Sequence, residues 1–297
     1  MASQEPVTLQ AMFGPYWNTE ALKKSDVRSP LVNFNFADVK VANTMFKSVV
    51  RDAKFDLSEL AIVTYLQAKV YGKPYVLLPA VIVTRGQHHT IAYNPERGHL
   101  TPADLPGKRV GVRAYTQTTG AWLRGILADD YGVDLSRVKW ITFEDPHLAE
   151  YVDPPAVEKA PAGKNITQML LDGEIDAAIV GDVMTDPRLK YLIPDHDAAA
   201  KAWAAKHGGT PINHLAVIRD SIAKSRPDVV KEVFRLLAES AKLGKPPNGE
   251  QAAAVRFGYE AVKPSLEIII DYSVRQGLIP RRFSVDELFD DTTRVLK

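Results

Sequence analysis

Up to about residue 220, short β-rich runs alternate with amphipathic helical patterns, and this alternation limits the fold more than any other feature of the chain. The runs "VTLQAMF", "YVLLPAVIVT", "KRVGV", "VKWITF" and "DAAIV" are apolar and rich in β-branched residues, whereas "VANTMFKSVVRD", "GAWLRGILADDYG" and "ITQMLLDG" space their apolar residues as helices do. Strand, helix and strand in repeated succession build largely parallel sheets with helices on their faces, so the class is α/β. Beyond residue 220 the pattern turns almost wholly helical, in "RPDVVKEVFRLLAESAKLG", "GEQAAAVRFGYEAV", "SLEIIIDYSVRQGL" and "SVDELFDDTTRVL". These predict C-terminal helices packed back on a core built earlier.

Two stretches echo each other: "FKSVVRDAKFDLSEL" at 46–60 and "ITQMLLDGEIDAAIV" at 166–180. Each runs from an amphipathic helix through a polar break to an apolar-Asp pair (Phe55-Asp56, Ile175-Asp176) and a strand. One echo at this spacing predicts two similar lobes, since a solenoid would show many short periods. The Pro/Gly-rich segments 94–107 and 206–214 then mark where the chain crosses between lobes. The expected lobes are 1–94 plus 214–297, and 95–213. Two α/β lobes joined by two crossings predict a central cleft at the strand ends, where open α/β sheets take ligands.

Charge and composition narrow the partners. With 37 basic against 36 acidic residues, the net charge of +1 offers no field to recruit nucleic acid or an anionic membrane. No apolar run approaches the roughly 20 residues that span a bilayer, so membrane insertion is not expected. The absence of cysteine removes disulfides, thiolate catalysis and Cys-based zinc sites. "MASQEPVTLQAMF" has neither a basic n-region nor an apolar h-region, which predicts a cytoplasmic protein, or a periplasmic one whose signal has been removed. Homo-oligomerisation stays open. No phosphate loop, dinucleotide fingerprint, Ser-His-Asp signature or zinc motif appears, so no cofactor is implied, although a divalent metal stays open.

The stretch "GVRAYTQTTGAWLRGIL" (111–127) passes directly from strand to helix through a polar knot. Helix starts leave backbone N–H groups without intrahelical partners and attract anions. Thr116, Gln117, Thr118 and Thr119 are therefore candidates to hold a ligand carboxylate, with Tyr115 donating a hydrogen bond or stacking on a ring. Thr118 or Thr119 as an ordinary N-cap is the plainer reading, and the two are compatible.

Four blocks in order, "FDLSELAIVTYL", "LPGKRVGVRAYTQTTGAWLRGILADDYGVD", "PINHLAVIR" and "DYSVRQGLIPRRFSVDELF", resemble the 4,5-dihydroxyphthalate decarboxylase family. The resemblance implies a two-lobed fold similar to type II periplasmic solute-binding proteins and a cofactor-independent aromatic decarboxylase, or a relative that only binds small carboxylates. It departs from the family pattern in "GPYWNTEAL", where Pro15 and Asn18 replace an acid and an arginine, and at Arg113-Ala114, where the family commonly has Pro-Glu.

Decarboxylating an aromatic acid needs a ring hydroxyl as electron sink, an anchor for the substrate and a proton for the carbon that loses carbon dioxide. In "TRGQHHTIAYN" an extended chain puts Arg85 and His89 on one face and His88 on the other, unless Gly86 makes a bulge. Arg85 then anchors a carboxylate or phenolate, and His89 or His214 handles the proton. His214 in "PINHLAVI" is otherwise a hinge residue bonded to backbone. Glu59 shares a strand face with Phe55 and Leu57, as a salt-bridged acid or as an acid with a raised pKa. Asp182 follows a strand and a glycine, at a ligand-facing edge or in a turn. Trp17 offers an aromatic wall beside Asn18. The expected reaction is decarboxylation of a hydroxylated aromatic carboxylate. The alternatives are a solute-binding protein that passes a small carboxylate or other anion to an ABC-type importer, and another reaction on the same scaffold.

Overall fold

Among the described residues of the computed structural model, which are 5–181, 184 and 186–297, the β-rich runs form two separate sheets. In chain order the strands are β1 (Val7–Met12), β2 (Val32–Phe36), β3 (Leu57–Ala61), β4 (Tyr75–Thr84), β5 (Ile91–Tyr93), β6 (Arg109–Val112), β7 (Lys139–Thr142), β8 (Glu158–Lys159), β9 (Ala177–Ile179), β10 (Lys190–Tyr191) and β11 (Ile212–Arg219). One sheet has the order β2-β1-β3-β11-β4, and the other β10-β5-β9-β6-β7-β8. The chain divides accordingly. The first unit holds the residues up to Arg85 with Ile212–Ile270 and Ile279–Lys297; the second holds Gly86–Pro211 with Asp271–Leu278. The first passage between units thus precedes segment 94–107, and the second lies within 206–214.

Most pairings are parallel, as the alternation requires: β1 with β2 and β3, β6 with β7 and β9, and β7 with β8. β11 and β5 depart from this, β11 running antiparallel between β3 and β4 and β5 antiparallel between β9 and β10. Each lies just after a passage between the units. A strand that arrives without a crossover helix on its own sheet is free of the constraint that makes βαβ neighbours parallel.

The echoing stretches do the same work in both sheets. The helix Phe46–Asp52 ends at Ala53 with φ 48°, and the helix Ile166–Asp172 ends at Gly173 with φ 75°, each in the left-handed cap. Asp56 then accepts the Gln10 N–H on its carboxylate at 2.9 Å and donates its own N–H to the Gln10 carbonyl at 2.8 Å. Asp176 makes the same two bonds with Arg109, both at 2.8 Å. The aspartate of each apolar-Asp pair therefore fastens a strand to its parallel neighbour, β3 to β1 and β9 to β6.

In the first unit Leu9, Leu57, Leu78 and Ile218 pack with Val229, Val233 and Leu236 of the helix Pro227–Leu243, which enters on a proline suited to its first turn. In the second, Trp122 stands edge-on to Trp203 at 5.7 Å and to Tyr272 at 5.8 Å. The C-terminal helices Pro227–Leu243 and Tyr259–Arg275 form as expected, but "SVDELFDDTTRVL" makes only the short 3-10 turn Asp286–Leu288. Local polar side chains take the backbone there. Ser284 N–H donates to the Glu287 carboxylate at 2.7 Å, and the Asp290 carboxylate accepts from Thr292 at 3.0 Å and Thr293 at 2.7 Å. Such bonds compete with helix formation.

Candidate functional site

The first unit places a carboxylate where an isolated one would be costly. Glu59 sits in the middle of β3, a strand buried at every position, and has no exposed surface. Two donors compensate. The Gly14 N–H, in the loop after β1, donates to Oε1 at 2.6 Å, and His214 Nδ1 lies 2.6 Å from Oε2. Sheet register makes the second contact: β11 sets Ala216 opposite Glu59, so His214, two residues away on the same face, is its diagonal neighbour. The edge of Phe46 meets the imidazole at a ring separation of 5.1 Å. With Nδ1 committed to the carboxylate, Nε2 is the nitrogen left to meet a ligand, and the His214 side chain keeps 17% of its surface exposed. A buried carboxylate behind a histidine fixes the ring and its orientation, the arrangement of a proton donor or base.

The other first-unit candidates have more local roles. Asn18 is buried, and its Nδ2 donates to the Ile82 carbonyl at 3.1 Å, which ties the loop after β1 to β4. Trp17 is half-buried and lines, with Pro15, Tyr16, Lys23 and Lys24, a cavity of about 450 Å³. Arg85 is half-buried at the end of the unit's first segment.

His89 lies in the second unit, and the extended face expected over 85–89 does not form. Residues His88–Thr90 make a 3-10 turn, closed by the Thr90 N–H and hydroxyl on the Gln87 carbonyl at 3.0 and 2.7 Å. Alternation of faces is lost across such a turn. Gly86 is also pressed against Ala200, whose Cβ would stand 2.7 Å from any Cβ at that position. The ring of His89 lies 6.0 Å from that of His196. His88 is the buried member of the pair, and desolvation pushes its imidazole down to about 4, with Asp130 pulling the other way. Asp182 lies outside the described residues. Among the described residues no three His, Asp or Glu side chains are grouped to hold a metal ion.

At the knot, the helix Thr118–Tyr131 begins one residue earlier than a Thr118 cap requires. Gln117 is the N-cap, with φ −59° and ψ 126°, and no side chain caps it. The turn is set by the Gln117 N–H on the Ala114 carbonyl at 3.0 Å. Thr116, Thr118 and Thr119 are all buried. The ring of Tyr115 covers a guanidinium that is absent from the sequence-based candidates: Arg124, at 4.1 Å, with Trp140 at 5.2 Å. Arg124 has no exposed surface. Its Nε donates to Gln276 Oε1 at 2.7 Å and its Nη2 to the Tyr115 carbonyl at 2.6 Å, while Nη1 is buried without a hydrogen-bond partner among the described residues. The visible signal is an arginine inside "AWLRGIL", where a solvated side chain has no place. Burial pulls its pKa below the usual value, and the half-buried Asp153 carboxyl is pushed up by desolvation despite Arg124.

No family model matches the sequence. The 4,5-dihydroxyphthalate decarboxylase of Comamonas testosteroni is 33% identical over 196 residues, 62% of this chain and 59% of that protein. The 4,5-dihydroxyphthalate decarboxylase of Pseudomonas putida is 34% identical over 173 residues, 54% of this chain and 67% of that protein. The chain thus spans about three fifths to two thirds of the curated relatives it matches. Among solved structures, the alkanesulfonate-binding protein SsuA from Xanthomonas axonopodis pv. citri, bound to MOPS, superposes with a TM-score of 0.60 at 17% identity, covering 97% of this chain and 99% of its own. The periplasmic aliphatic sulphonate binding protein SsuA from Escherichia coli gives 0.57 at 14%, covering 96% and 97%. The desulfurization enzyme DSZB gives 0.50 at 13%, covering 96% and 97%. These likenesses establish the two-lobed fold of type II solute-binding proteins.

Proposed function

The chain belongs to the 4,5-dihydroxyphthalate decarboxylase family, and from that premise we propose that it is a carboxy-lyase that removes carbon dioxide from a hydroxylated aromatic carboxylate. The observation that carries the reading is the buried Glu59 carboxylate held 2.6 Å from His214 Nδ1. A decarboxylase of this kind must place one proton on a ring carbon, and a carboxylate-backed histidine is the group suited to deliver it.

In this reading the imidazolium of His214 donates from Nε2 to the ring carbon that bears the carboxylate. A hydroxyl ortho or para to that carbon supplies the electron density and carries the positive charge that results. The bond to the carboxylate then breaks, its electron pair restores the aromatic ring, and carbon dioxide leaves. His214 regains a proton from solvent, so the balance is one carboxylate and one proton consumed for one arene and one carbon dioxide. Glu59, facing Nδ1, keeps the ring oriented before and after donation. Within the second unit, the turn at Thr116–Thr119 has anion-binding capacity of its own.

Carbon dioxide release from a panel of hydroxybenzoates and hydroxyphthalates tests this, with the parent beside His214→Ala and His89→Ala. The expected result is turnover of at least one member by the parent and its loss in His214→Ala. Tight binding without release from any member would favour the solute-binding alternative, and full activity in His214→Ala would move the proton elsewhere.

A further inference from the structure

Arg124 is a buried cation that forms no ion pair among the described residues. An arginine keeps its charge at neutral pH, and a buried charge is tolerated when it is paired. Tyr115 and Trp140 lie over the guanidinium within cation-π range, and two of its edges are used by uncharged oxygens of Tyr115 and Gln276. Among the described residues no carboxylate forms an ion pair with it, Asp153 included. Its third edge, Nη1, is buried and unsatisfied.

That edge is aimed at the start of the helix. Helical side chains lean toward the N-terminus. Nη1 accordingly lies 3.1 Å from where a Cβ would stand on Gly120, in the first turn of this 14-residue helix. The positive end of the helix dipole and an unneutralised guanidinium therefore meet at one place. The N-cap residue of the same helix, Gln117, carries a buried Oε1 that also lacks a partner among the described residues, and Oε1 accepts from a hydroxyl.

We propose that the Nη1 edge of Arg124, against the first turn of the Thr118–Tyr131 helix, holds the carboxylate of a small hydroxylated organic acid, with Gln117 accepting from a neighbouring hydroxyl. This rests on reading the knot as the turn that receives the substrate's carboxylate. It names Arg124 as the anchoring residue of the second unit. A Cβ at Gly120 would stand 3.1 Å from Nη1 and 3.0 Å from Val112 Cγ2, so the glycine keeps a side-chain atom off that edge.

The test is calorimetric titration of 2-hydroxybenzoate, benzoate and phenol into the parent, Arg124→Met, Gly120→Ala and Asp153→Asn, with carbon dioxide release followed in parallel. Gly120→Ala keeps the arginine but sets a Cβ 3.1 Å from Nη1 and 3.0 Å from Val112 Cγ2, so a melting curve beside each titration separates lost binding from lost packing. Both variants are expected to weaken 2-hydroxybenzoate at least about tenfold, to weaken benzoate and to leave phenol unchanged. Asp153→Asn is expected to bind as tightly as the parent or more so. Unchanged affinity in Gly120→Ala and Arg124→Met, loss in Asp153→Asn, or no carboxylate binding by the parent overturns the assignment. If the variants weaken binding while the parent releases no carbon dioxide from any acid, the anion site stands and the lyase reading fails. If the parent turns over an acid whose affinity neither variant changes, the lyase stands and Arg124 is not its anchor.

Discussion

His214 Nδ1 stands 2.6 Å from Oε2 of Glu59, a carboxylate with no exposed surface whose other oxygen is held by the Gly14 N–H. Glu59→Gln keeps the shape of the side chain but replaces the carboxylate oxygen that faces Nδ1 by an amide, which holds the ring less firmly. Activity is expected to fall on the order of 10²- to 10⁴-fold, mainly in kcat, with a much smaller change in KM. Steady-state kinetics on any acid the parent decarboxylates checks this, and a change confined to KM would show that Glu59 only shapes the site.

His88 makes stability depend on pH. Desolvation holds it at about 4 in the folded chain, against about 6.5 when unfolded. Between those values the unfolded chain binds a proton that the folded chain does not. Stability from this residue is therefore full above about pH 6.5, falls as pH drops toward 4, and is level below. Urea midpoints at several pH values should show a shallower acid slope for His88→Asn than for the parent. Equal slopes would place the acid sensitivity elsewhere.

Gly125 faces Tyr272 so closely that a Cβ would lie 2.1 Å from its ring carbons. Alanine favours a helix over glycine by about 1 kcal/mol. Tyr272 is buried and packed edge-on to Trp122, so the ring cannot step aside. Overpacking of this kind costs about 1–3 kcal/mol, which outweighs the propensity gain. Gly125→Ala is expected to lower the melting temperature; a rise would show that Tyr272 moves freely.

Asp56 and Asp176 hold equivalent positions in separate units, so their effects should add. Asp56→Ala and Asp176→Ala each remove a carboxylate from a strand N–H and are expected to cost about 1 kcal/mol. Denaturant unfolding of both single variants and the double variant measures this. A double variant far from the sum would show that the two clamps are energetically linked.

Elements built from near neighbours were legible in the sequence. Alternating β-rich and helical runs predict an α/β chain, and the repeated apolar-Asp pair predicts two similar lobes, because periodicity and local turns record each segment's immediate environment. The same local logic failed at 85–90, where one 3-10 turn interrupts the alternation that an extended chain would have kept. It failed again after residue 284, where serine and aspartate side chains capture the N–H groups of an expected helix.

The site required tertiary structure. Glu59 and His214 were each singled out from the sequence, but their contact spans 155 residues and depends on β11 entering antiparallel beside β3 in one register. Arg124 was overlooked because its surroundings come from three distant segments, with Tyr115, Trp140 and Gln276 meeting only when the sheet and the last long helix are in place. A sequence shows that an arginine lies on an apolar helix face. Only packing decides which of its edges is covered and which is left for an anion.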